Sequence, residues 1–436
     1  MNSILIQNGR VIDPTNKREP EFRADILVKN GQIAKIGRGL KSSAGIKVIP
    51  AKGKLVTAGL VDLHVHLREP GREDKETLAT ATRAAAAGGV TTLLGMPNTS
   101  PTIDNQTVVK FVLARARETG LVKVLTSGAL TKNSAGQELA EIWELREAGA
   151  RVVLDDAPQT FSMELKRLAL EYCQTYGLPI FAHAEDATLA QGAALAEGFI
   201  STQLGLPGSP GATEALAVAR TIELLREVPV PYHFTHLSTK RAVELIRRAR
   251  AEGLPITADT TPHHLTLTSE ACLNYNTQAK VAPPLRGEAD RQALLAGLLD
   301  GTLDAVGSDH APHLLVDKFL PFTEAAFGIT GLETLFALTF TELVKSDKMS
   351  LPNLIAKLTV NPARILRSKA GLLKVGSAAD LAVFDIRKEY KIDCQKFHSK
   401  GRNTPFHGRK VFGRATEVLV DGSLVVEQGK VLEVSN

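Results

Sequence analysis

Short apolar runs alternate with longer helix-favouring stretches through the middle of the chain. Eight such runs occur, and each is followed by a stretch such as TKRAVELIRRARAEG, which is rich in Ala, Leu, Glu, Lys and Arg. Strands that alternate with helices indicate βα units and a parallel sheet. Eight of these units predict an α/β fold of the closed (β/α)8 TIM-barrel type. The predicted strands are residues 60–66, 90–96, 122–129, 151–156, 179–183, 232–236, 255–260 and 303–309.

Both ends of the chain carry a different pattern, which is typical of antiparallel hairpins. An Asn-Gly pair at 8–9 and another at 30–31 lie between β-rich runs, as does an Asp-Gly pair at 421–422. These pairs are the strongest short signal for a hairpin turn. We therefore predict one small β-sandwich domain built from both termini, with two unrelated β-caps as the alternative. The predicted boundaries are 1–56 for the N-terminal part of this domain, 57–366 for the barrel and 367–436 for the C-terminal part.

Composition and charge exclude several classes of protein. The 44% hydrophobic and 23% charged residues are ordinary for a globular chain, and the net charge of +5 is spread thinly, with no long basic run. Neither a nucleic-acid partner nor a membrane surface is indicated. The uncharged stretch 84–103 contains glycines and prolines that indicate a helix end, a strand and a loop instead of a membrane span.

The N-terminus lacks the features of a signal peptide. The three cysteines lie far apart, so neither a disulfide framework nor a thiolate metal site is expected. Together these features predict a cytoplasmic protein.

Metal-binding side chains cluster at the ends of the predicted strands. Because residues at i and i+2 of a strand share a face, His64 and His66 can reach one ion. In a barrel the carboxyl ends of the strands converge on one mouth, where active sites lie. The other candidates at these ends are the Asp155-Asp156 pair, His183, His236 and Asp309.

Taken singly, each of these signals is weak. A His-x-His pair is more often incidental, and a lone strand-end histidine is more often a packed core residue. Their conjunction at one barrel mouth favours a metal site. Imidazole and carboxylate are the ligands that zinc takes where thiolates are absent, and this number of them suits two ions sharing a carboxylate.

Motifs along nearly the whole chain resemble the amidohydrolase superfamily and, within it, the class I bacterial dihydroorotases. They are GLVDLHVHLREPG at 59–71, GMPNTSPTID at 95–104, HAED at 183–186, THLSTK at 235–240, TPHHL at 261–265, PPLRG at 283–287, SDHAPH at 308–313, FGITGLET at 327–334 and NPARIL at 361–366. The resemblance implies reversible conversion between L-dihydroorotate and N-carbamoyl-L-aspartate, a step of pyrimidine biosynthesis. It is also compatible with a homodimer or an assembly with aspartate carbamoyltransferase.

The resemblance further implies two Zn2+ ions per subunit. His64, His66 and Asp309 would hold one ion, His183 and His236 the other, and Asp156 would bridge them. Hydroxide shared by the two ions would attack the ring amide, with Asp309 as the catalytic base. In related hydantoinases the bridge is a carboxylated lysine. Here the nearest lysine, Lys166, belongs to the following helix.

Substrate contacts are also implied by the matching motifs. Arg68 and Asn98 would bind the substrate carboxylate, because a guanidinium engages a carboxylate through two parallel hydrogen bonds. The contacts to the substrate are expected from His66, Arg68, Asn98, His313, Phe327 and Gly328. A salt bridge from Arg68 to Glu69 or Asp74 is the alternative structural role.

The sequence departs from the family pattern in places. Ala282 stands before PPLRG where many members have an asparagine, LDDA and AAFG replace the usual SDDG and APFG, and the stretch after His313 differs. Residues 314–326 lie between two expected substrate contacts, which suggests a lid. The alternative functions are a dihydropyrimidinase, hydantoinase or allantoinase, or a non-catalytic dihydroorotase-like partner of aspartate carbamoyltransferase.

Overall fold

The computed structural model describes residues 3–156 and 162–433. Its strands, numbered along the chain, are β1 Ser3–Ile12, β2 Glu21–Lys29, β3 Gln32–Gly37, β4 Ile46–Pro50, β5 Leu55–Ala58, β6 Leu60–Val65, β7 Val90–Gly95, β8 Lys123–Ala129, β9 Val152–Asp155, β10 Ile180–Ala182, β11 Leu195–Ala196, β12 Gly208–Ser209, β13 Tyr232–Phe234, β14 Ile256–Thr260, β15 Ala305–Val306, β16 Leu381–Asp385, β17 Tyr390–Lys391, β18 Lys410–Val411, β19 Arg414–Val420, β20 Ser423–Glu427 and β21 Lys430–Val431. The α-helices are α1 Leu78–Gly88, α2 Gln106–Thr119, α3 Ile142–Ala148, α4 Met163–Tyr176, α5 Ala187–Ala190, α6 Phe199–Leu204, α7 Ala212–Glu227, α8 Lys240–Ala251, α9 Pro262–Thr266, α10 Glu288–Leu299, α11 Leu315–Lys318, α12 Leu335–Thr339, α13 Leu351–Leu358 and α14 Val360–Ile365.

Eight parallel strands form the barrel that the hydrophobic pattern predicts. They pair in the order β15-β14-β13-β10-β9-β8-β7-β6. A parallel bridge between Val65 and His310 joins the last strand to the first, and the His66 amide donates to the His310 carbonyl at 2.9 Å. The predicted fold class is therefore confirmed, and every predicted strand lies within three residues of its observed ends.

Side-chain caps fix where the helices start after the barrel strands. Thr77, Asn105, Ser162 and Thr239 each accept a hydrogen bond from a backbone N–H in the first turn of α1, α2, α4 and α8. Such a cap satisfies one of the amides that a helix leaves free at its start. The strand-to-helix loops that form the mouth are thus held at defined entry points.

The two termini share one nine-stranded sheet. Its order is β21-β20-β19-β16-β5-β1-β2-β3, with β4 paired to β1. Hairpins turn at 30–31 between β2 and β3 and at 421–422 between β19 and β20. The prediction of a β unit assembled from both ends is confirmed, as are these two hairpins.

The hairpin expected at Asn8-Gly9 is wrong, because both residues lie inside β1. The pairing of β1 with β2 shifts register between Ile6 and Gly9, and Asn8 has a φ of 59°. The pair therefore forms a β-bulge, in which one extra residue is accommodated without ending the strand. The Asn8 amide donates to Asp25 Oδ1 at 2.7 Å, which stabilises the bulge.

Between β16 and β19 the chain leaves this sheet. Strands β17 and β18 pair separately. Residues 398–404, called the strap here, lie between these two strands in the sequence and pack against the barrel mouth. The His398 amide donates to Glu333 and the Ser399 hydroxyl donates to Glu76. The sequence pattern predicts that this segment belongs to the terminal β-domain, and that boundary stays a prediction.

No helix in the described ranges is both long enough and apolar enough to cross a membrane.

Candidate metal centre and active site

Three of the predicted ligands meet at the barrel mouth. Nitrogen atoms of His64 and His66 and a carboxylate oxygen of Asp309 all lie within 4.8 Å of one another. His66 Nε2 is 3.5 Å and His64 Nε2 is 3.7 Å from Asp309 Oδ1. His64 Nδ1 is buried without a hydrogen-bond partner among the described residues. Because a buried polar atom without a partner is costly, this donor set fits a bound metal ion.

The second predicted ligand pair adjoins the first. His183 Nδ1 and His236 Nε2 are 3.2 Å apart. The ring centroids of His64 and His236 are separated by 4.9 Å, so the pair is in contact with the three-ligand cluster. All four predicted histidine ligands are therefore brought together at one mouth.

The two aspartates at the end of β9 differ in their surroundings. Asp155 Oδ2 forms a 2.9 Å ion pair with Lys166 of α4 and accepts a 3.1 Å hydrogen bond from the Tyr232 hydroxyl. The negative charge of Asp156 instead helps to raise the pKa of His183, and the charge of Asp309 helps to raise the pKa of Asp156. Asp155 is thus committed to α4, and the assignment of Asp156 as the bridging ligand stays a prediction.

Burial keeps most of these imidazoles neutral. Desolvation lowers the pKa of His64 and of His66 to about 3, and it lowers the pKa of His236 well below its ordinary value. A neutral imidazole has a free lone pair, which metal ligation requires. These three side chains are therefore in the binding-competent form at neutral pH.

Protons are held more tightly at three other groups. Desolvation raises the pKa of Asp156 and of Asp309 to about 6. Burial opposes the charge on His183, but the hydrogen bond to Glu185 at 3.0 Å and the nearby aspartates outweigh it and raise the pKa of His183 to about 9. A bound cation would have to displace these protons.

Arg68 is a partly buried cation beside this cluster. Its Nε donates to the Pro312 carbonyl and its Nη2 to His313 Nε2, both at 3.2 Å. In the ranges that the structure describes, it forms no ion pair with a carboxylate, and Glu69 pairs with Arg115 at 2.9 Å instead. The alternative salt bridge of Arg68 to Glu69 is therefore not formed. A partly buried guanidinium without a carboxylate partner favours an anionic group from outside the chain.

Asn98 reaches the cluster through His66. Its Oδ1 lies 2.9 Å from His66 Nδ1, so it can accept a hydrogen bond from a protonated Nδ1, which leaves the Nε2 lone pair free to face Asp309. A hydrogen bond of this kind selects the tautomer of a ligating histidine. The structure thus places Asn98 against a predicted metal ligand, and its contact with substrate stays a prediction.

The remaining predicted substrate residues, His313, Phe327 and Gly328, lie on two neighbouring loops, residues 311–313 and 327–330, which the Ala311 amide joins through the Ile329 carbonyl. These two loops are called the substrate wall here. His313 follows the eighth strand, and the Gly328 amide donates to the Lys280 carbonyl at 3.0 Å. Phe327 is partly exposed, and Lys280 Nζ lies 4.2 Å from its ring centroid. Phe327 and Ala282 line a cavity of about 900 Å³ that opens beside the mouth.

The buried side chain of Lys318 holds residues 314–326 in place. Lys318 Nζ donates to the carbonyls of Thr277, Lys280 and Ala326, at 3.0, 3.1 and 2.7 Å. The lid hypothesis for this segment stays a prediction.

Sequence reasoning missed a layer of carboxylates beneath the mouth. Asp62 Oδ1 accepts from the amides of His64 at 3.2 Å and Ser308 at 3.0 Å. Asp259 Oδ1 accepts from the His236 amide, while its Oδ2 lies 3.2 Å from His233 Nε2. The position of Asp62 two residues before His64 was the available signal, because it puts both side chains on one face of the strand.

Two more buried histidines, His263 and His310, lie near the mouth. His310 Nε2 lies 3.3 Å from Glu76, and its Nδ1 accepts from the Gly331 amide at 3.2 Å, so it connects the end of the eighth strand to two other loops. His263 Nε2 lies 3.9 Å from Asp309 Oδ2 and lacks a hydrogen-bond partner in the described part of the chain.

Solved structures with this architecture are available for comparison. The chain resembles an L-hydantoinase (dihydropyrimidinase) from Arthrobacter aurescens, with a TM-score of 0.89 and 27% identity over 99% of this chain and 98% of that one. It also resembles a D-hydantoinase, with a TM-score of 0.86 and 25% identity. The barrel, the His-x-His pair and the strand-end aspartate place the protein in the amidohydrolase class of metal-dependent hydrolases.

Comparison with related sequences identifies the family within the amidohydrolase class. A family model described as Dihydro-orotase-like matches residues 53–242. A dihydroorotase from Thermoanaerobacter sp. (strain X514) is 45% identical over 99% of both chains, and one from Geobacter sp. (strain M21) is 43% identical over 98% of this chain and 100% of its own. The chain belongs to the dihydroorotase family.

Proposed function

We propose that the protein interconverts L-dihydroorotate and N-carbamoyl-L-aspartate by hydrolysis and closure of a cyclic amide. The observation that carries this proposal is Arg68, a partly buried guanidinium without a carboxylate partner among the described residues, beside a cluster of metal-binding side chains. Both molecules carry a carboxylate that the reaction leaves unchanged. Such a group would supply the missing counter-charge through two parallel hydrogen bonds.

The donor set supports a site for two zinc ions. His64, His66 and Asp309 would hold one ion, and His183 and His236 the other. Asp156 would lie between them, because its neighbour Asp155 is committed to Lys166. When bound, ions of this kind lower the pKa of water and polarise a carbonyl oxygen.

The chain's own residues would orient the substrate and move the proton. Arg68 contacts His313, and Asn98 contacts His66, so these side chains would bind the substrate carboxylate and ring. Asp309 would take a proton from the attacking water and pass it to the departing ring nitrogen. Ring closure would follow the same path in reverse, with loss of water.

A substrate panel tests this proposal. The purified zinc-loaded protein should hydrolyse L-dihydroorotate, and it should turn over dihydrouracil, hydantoin and allantoin far more slowly, because these lack the exocyclic carboxylate. Faster turnover of any of the other three would favour the hydantoinase-like alternative. No turnover of any cyclic amide by the zinc-loaded protein would favour the non-catalytic alternative.

A further inference from the structure

The strap at residues 398–404 carries one side chain that joins both loops of the substrate wall. Asn403 Nδ2 donates to the Ala311 carbonyl at 2.9 Å and to the Gly328 carbonyl at 3.0 Å. Its Oδ1 accepts from the His313 amide at 2.9 Å. The side chain is 1% exposed, so all three bonds are made away from water.

The backbone of Asn403 adds a second link to the same wall. Its carbonyl accepts from the Thr330 amide at 2.8 Å and from the Thr330 hydroxyl at 3.1 Å. The two loops are themselves joined by the Ala311 amide, which donates to the Ile329 carbonyl at 3.0 Å. Asn403 therefore ties residues 311–313 to residues 328–330.

The close packing of the strap supports a specific role for this contact. A Cβ atom at Gly401 would lie 2.7 Å from Pro312 Cβ and 2.8 Å from both Asn403 Oδ1 and Thr330 Cγ2. Real Cβ atoms essentially never approach other atoms so closely. Glycine at 401 is thus required for the strap to reach the wall.

A chain of hydrogen bonds connects Asn403 in the strap to Arg68. The His313 backbone is held by Asn403, the His313 ring accepts from Arg68 Nη2, and Arg68 Nε donates to the Pro312 carbonyl. Moving the 311–313 loop would therefore move the guanidinium that the proposed substrate carboxylate meets. Asn403 itself faces the backbone of the wall and not the metal-binding cluster.

We infer that Asn403 is a positioning residue for substrate binding, which holds His313, Gly328 and through them Arg68 in the geometry that recognises the substrate. This inference rests on the function proposed above. A substrate-binding wall held rigidly in place loses less entropy when ligand binds. Loosening it should weaken ground-state binding more than it slows the chemical step.

The test compares Asn403→Ala and Asn403→Asp with wild type. The aspartate variant keeps the shape but replaces the two donated bonds with repulsion from two carbonyl oxygens. In both variants KM for L-dihydroorotate should rise about tenfold or more while kcat changes by less than about threefold, since the aspartate variant loses two side-chain hydrogen bonds and the alanine variant loses all three. Bound zinc per chain should equal that of wild type. The alanine variant serves alone if the aspartate variant does not fold.

Two further variants complete the design. Gly401→Ala should reproduce the rise in KM, because its Cβ would push the strap off the wall. Asn361→Ala is the matched control, because Asn361 Nδ2 also donates to a backbone carbonyl, that of Asp304 at 2.8 Å. Asp304 directly precedes β15, so this contact lies at the end of the barrel away from the mouth. It should leave KM unchanged.

The outcomes separate this inference from the proposed function. Wild-type KM in folded Asn403 variants would overturn the inference alone. Equal losses of kcat and zinc, with KM unchanged, would also overturn it, because the residue would then serve the fold or the metal site. Absence of L-dihydroorotate hydrolysis by the wild-type protein would overturn the proposed function and this inference with it.

Discussion

Three residues at the mouth have positive φ angles, which residues other than glycine rarely adopt. Arg68 has a φ of 62°, His236 of 41° and Asp309 of 47°. Such conformations cost free energy and persist only where surrounding contacts hold them, often at functional sites. The Asp259 carboxylate holds the His236 amide in this way. The strain therefore coincides with the residues that we assign to metal and substrate.

Asp309→Asn tests the proposed proton transfer. Asparagine tolerates a left-handed backbone, so the loop should keep its shape. The variant should retain zinc through the other proposed ligands, but kcat should fall by about 10²–10⁴-fold, because an amide cannot accept the proton. Bound zinc and kcat are measured on the same preparation. Near-normal kcat would remove Asp309 from this role.

Arg68→Met tests the recognition of the substrate carboxylate. Methionine keeps an apolar stem but removes the charge, so KM for L-dihydroorotate should rise by about 10–100-fold, as expected for loss of a charged hydrogen-bond pair. The exposed neighbour Arg72 gives the matched control. Arg72→Met should leave KM unchanged. An equal KM in the Arg68 variant and the Arg72 variant would contradict the proposed carboxylate site.

At the scale of single elements, the sequence predicted the barrel strands well and some contacts not at all. The strands follow from local apolar runs, and the ligands from their positions at the strand ends. Asn403 binds the His313 amide across 90 residues of sequence, and no local pattern indicates such a contact. The Asn-Gly pair forms a hairpin turn at 30–31 but a β-bulge at 8–9. The outcome depends on where the neighbouring strands pair, which the local sequence does not show.

Gly9→Ala tests how tightly the bulge of β1 packs on β5. A Cβ atom at Gly9 would lie 2.5 Å from Val56 Cγ2, and Val56 is fully buried. The free energy of unfolding should fall by about 1–3 kcal/mol, as is usual for an overpacked core. Denaturant unfolding measures it. Gly37→Ala is the control, because its nearest neighbour, Leu40 Cδ2, would be 4.0 Å away. Equal unfolding free energies for the two variants would refute the packing argument.

At the scale of the whole molecule, the metal site should couple pH to stability. The carboxyl groups of Asp156 and Asp309 have pKa values raised to about 6, so in the metal-free protein they hold protons up to that pH. Their protonation stabilises the metal-free fold at low pH, and this contribution is lost as the pH rises through about 6. Zinc requires the ionised carboxylates and should therefore stabilise more at higher pH.

This coupling predicts a pH-dependent shift in the melting temperature. The difference in Tm between zinc-loaded and metal-free protein should be larger at about pH 8 than at about pH 5.5, because protons compete with the metal at the lower value. The proton on His183, whose pKa is raised to about 9, should extend the increase above neutrality. A Tm difference independent of pH would contradict the assignment of these groups as ligands.

The most direct measurement of the central claim is hydrolysis of L-dihydroorotate by one preparation before chelation, after chelation and after zinc is restored. The account predicts turnover that disappears with the metal and returns with zinc, because the proposed chemistry depends on the cluster of His64, His66 and Asp309. Turnover that survives complete removal of the metal would contradict it, and so would a zinc-loaded protein with no turnover.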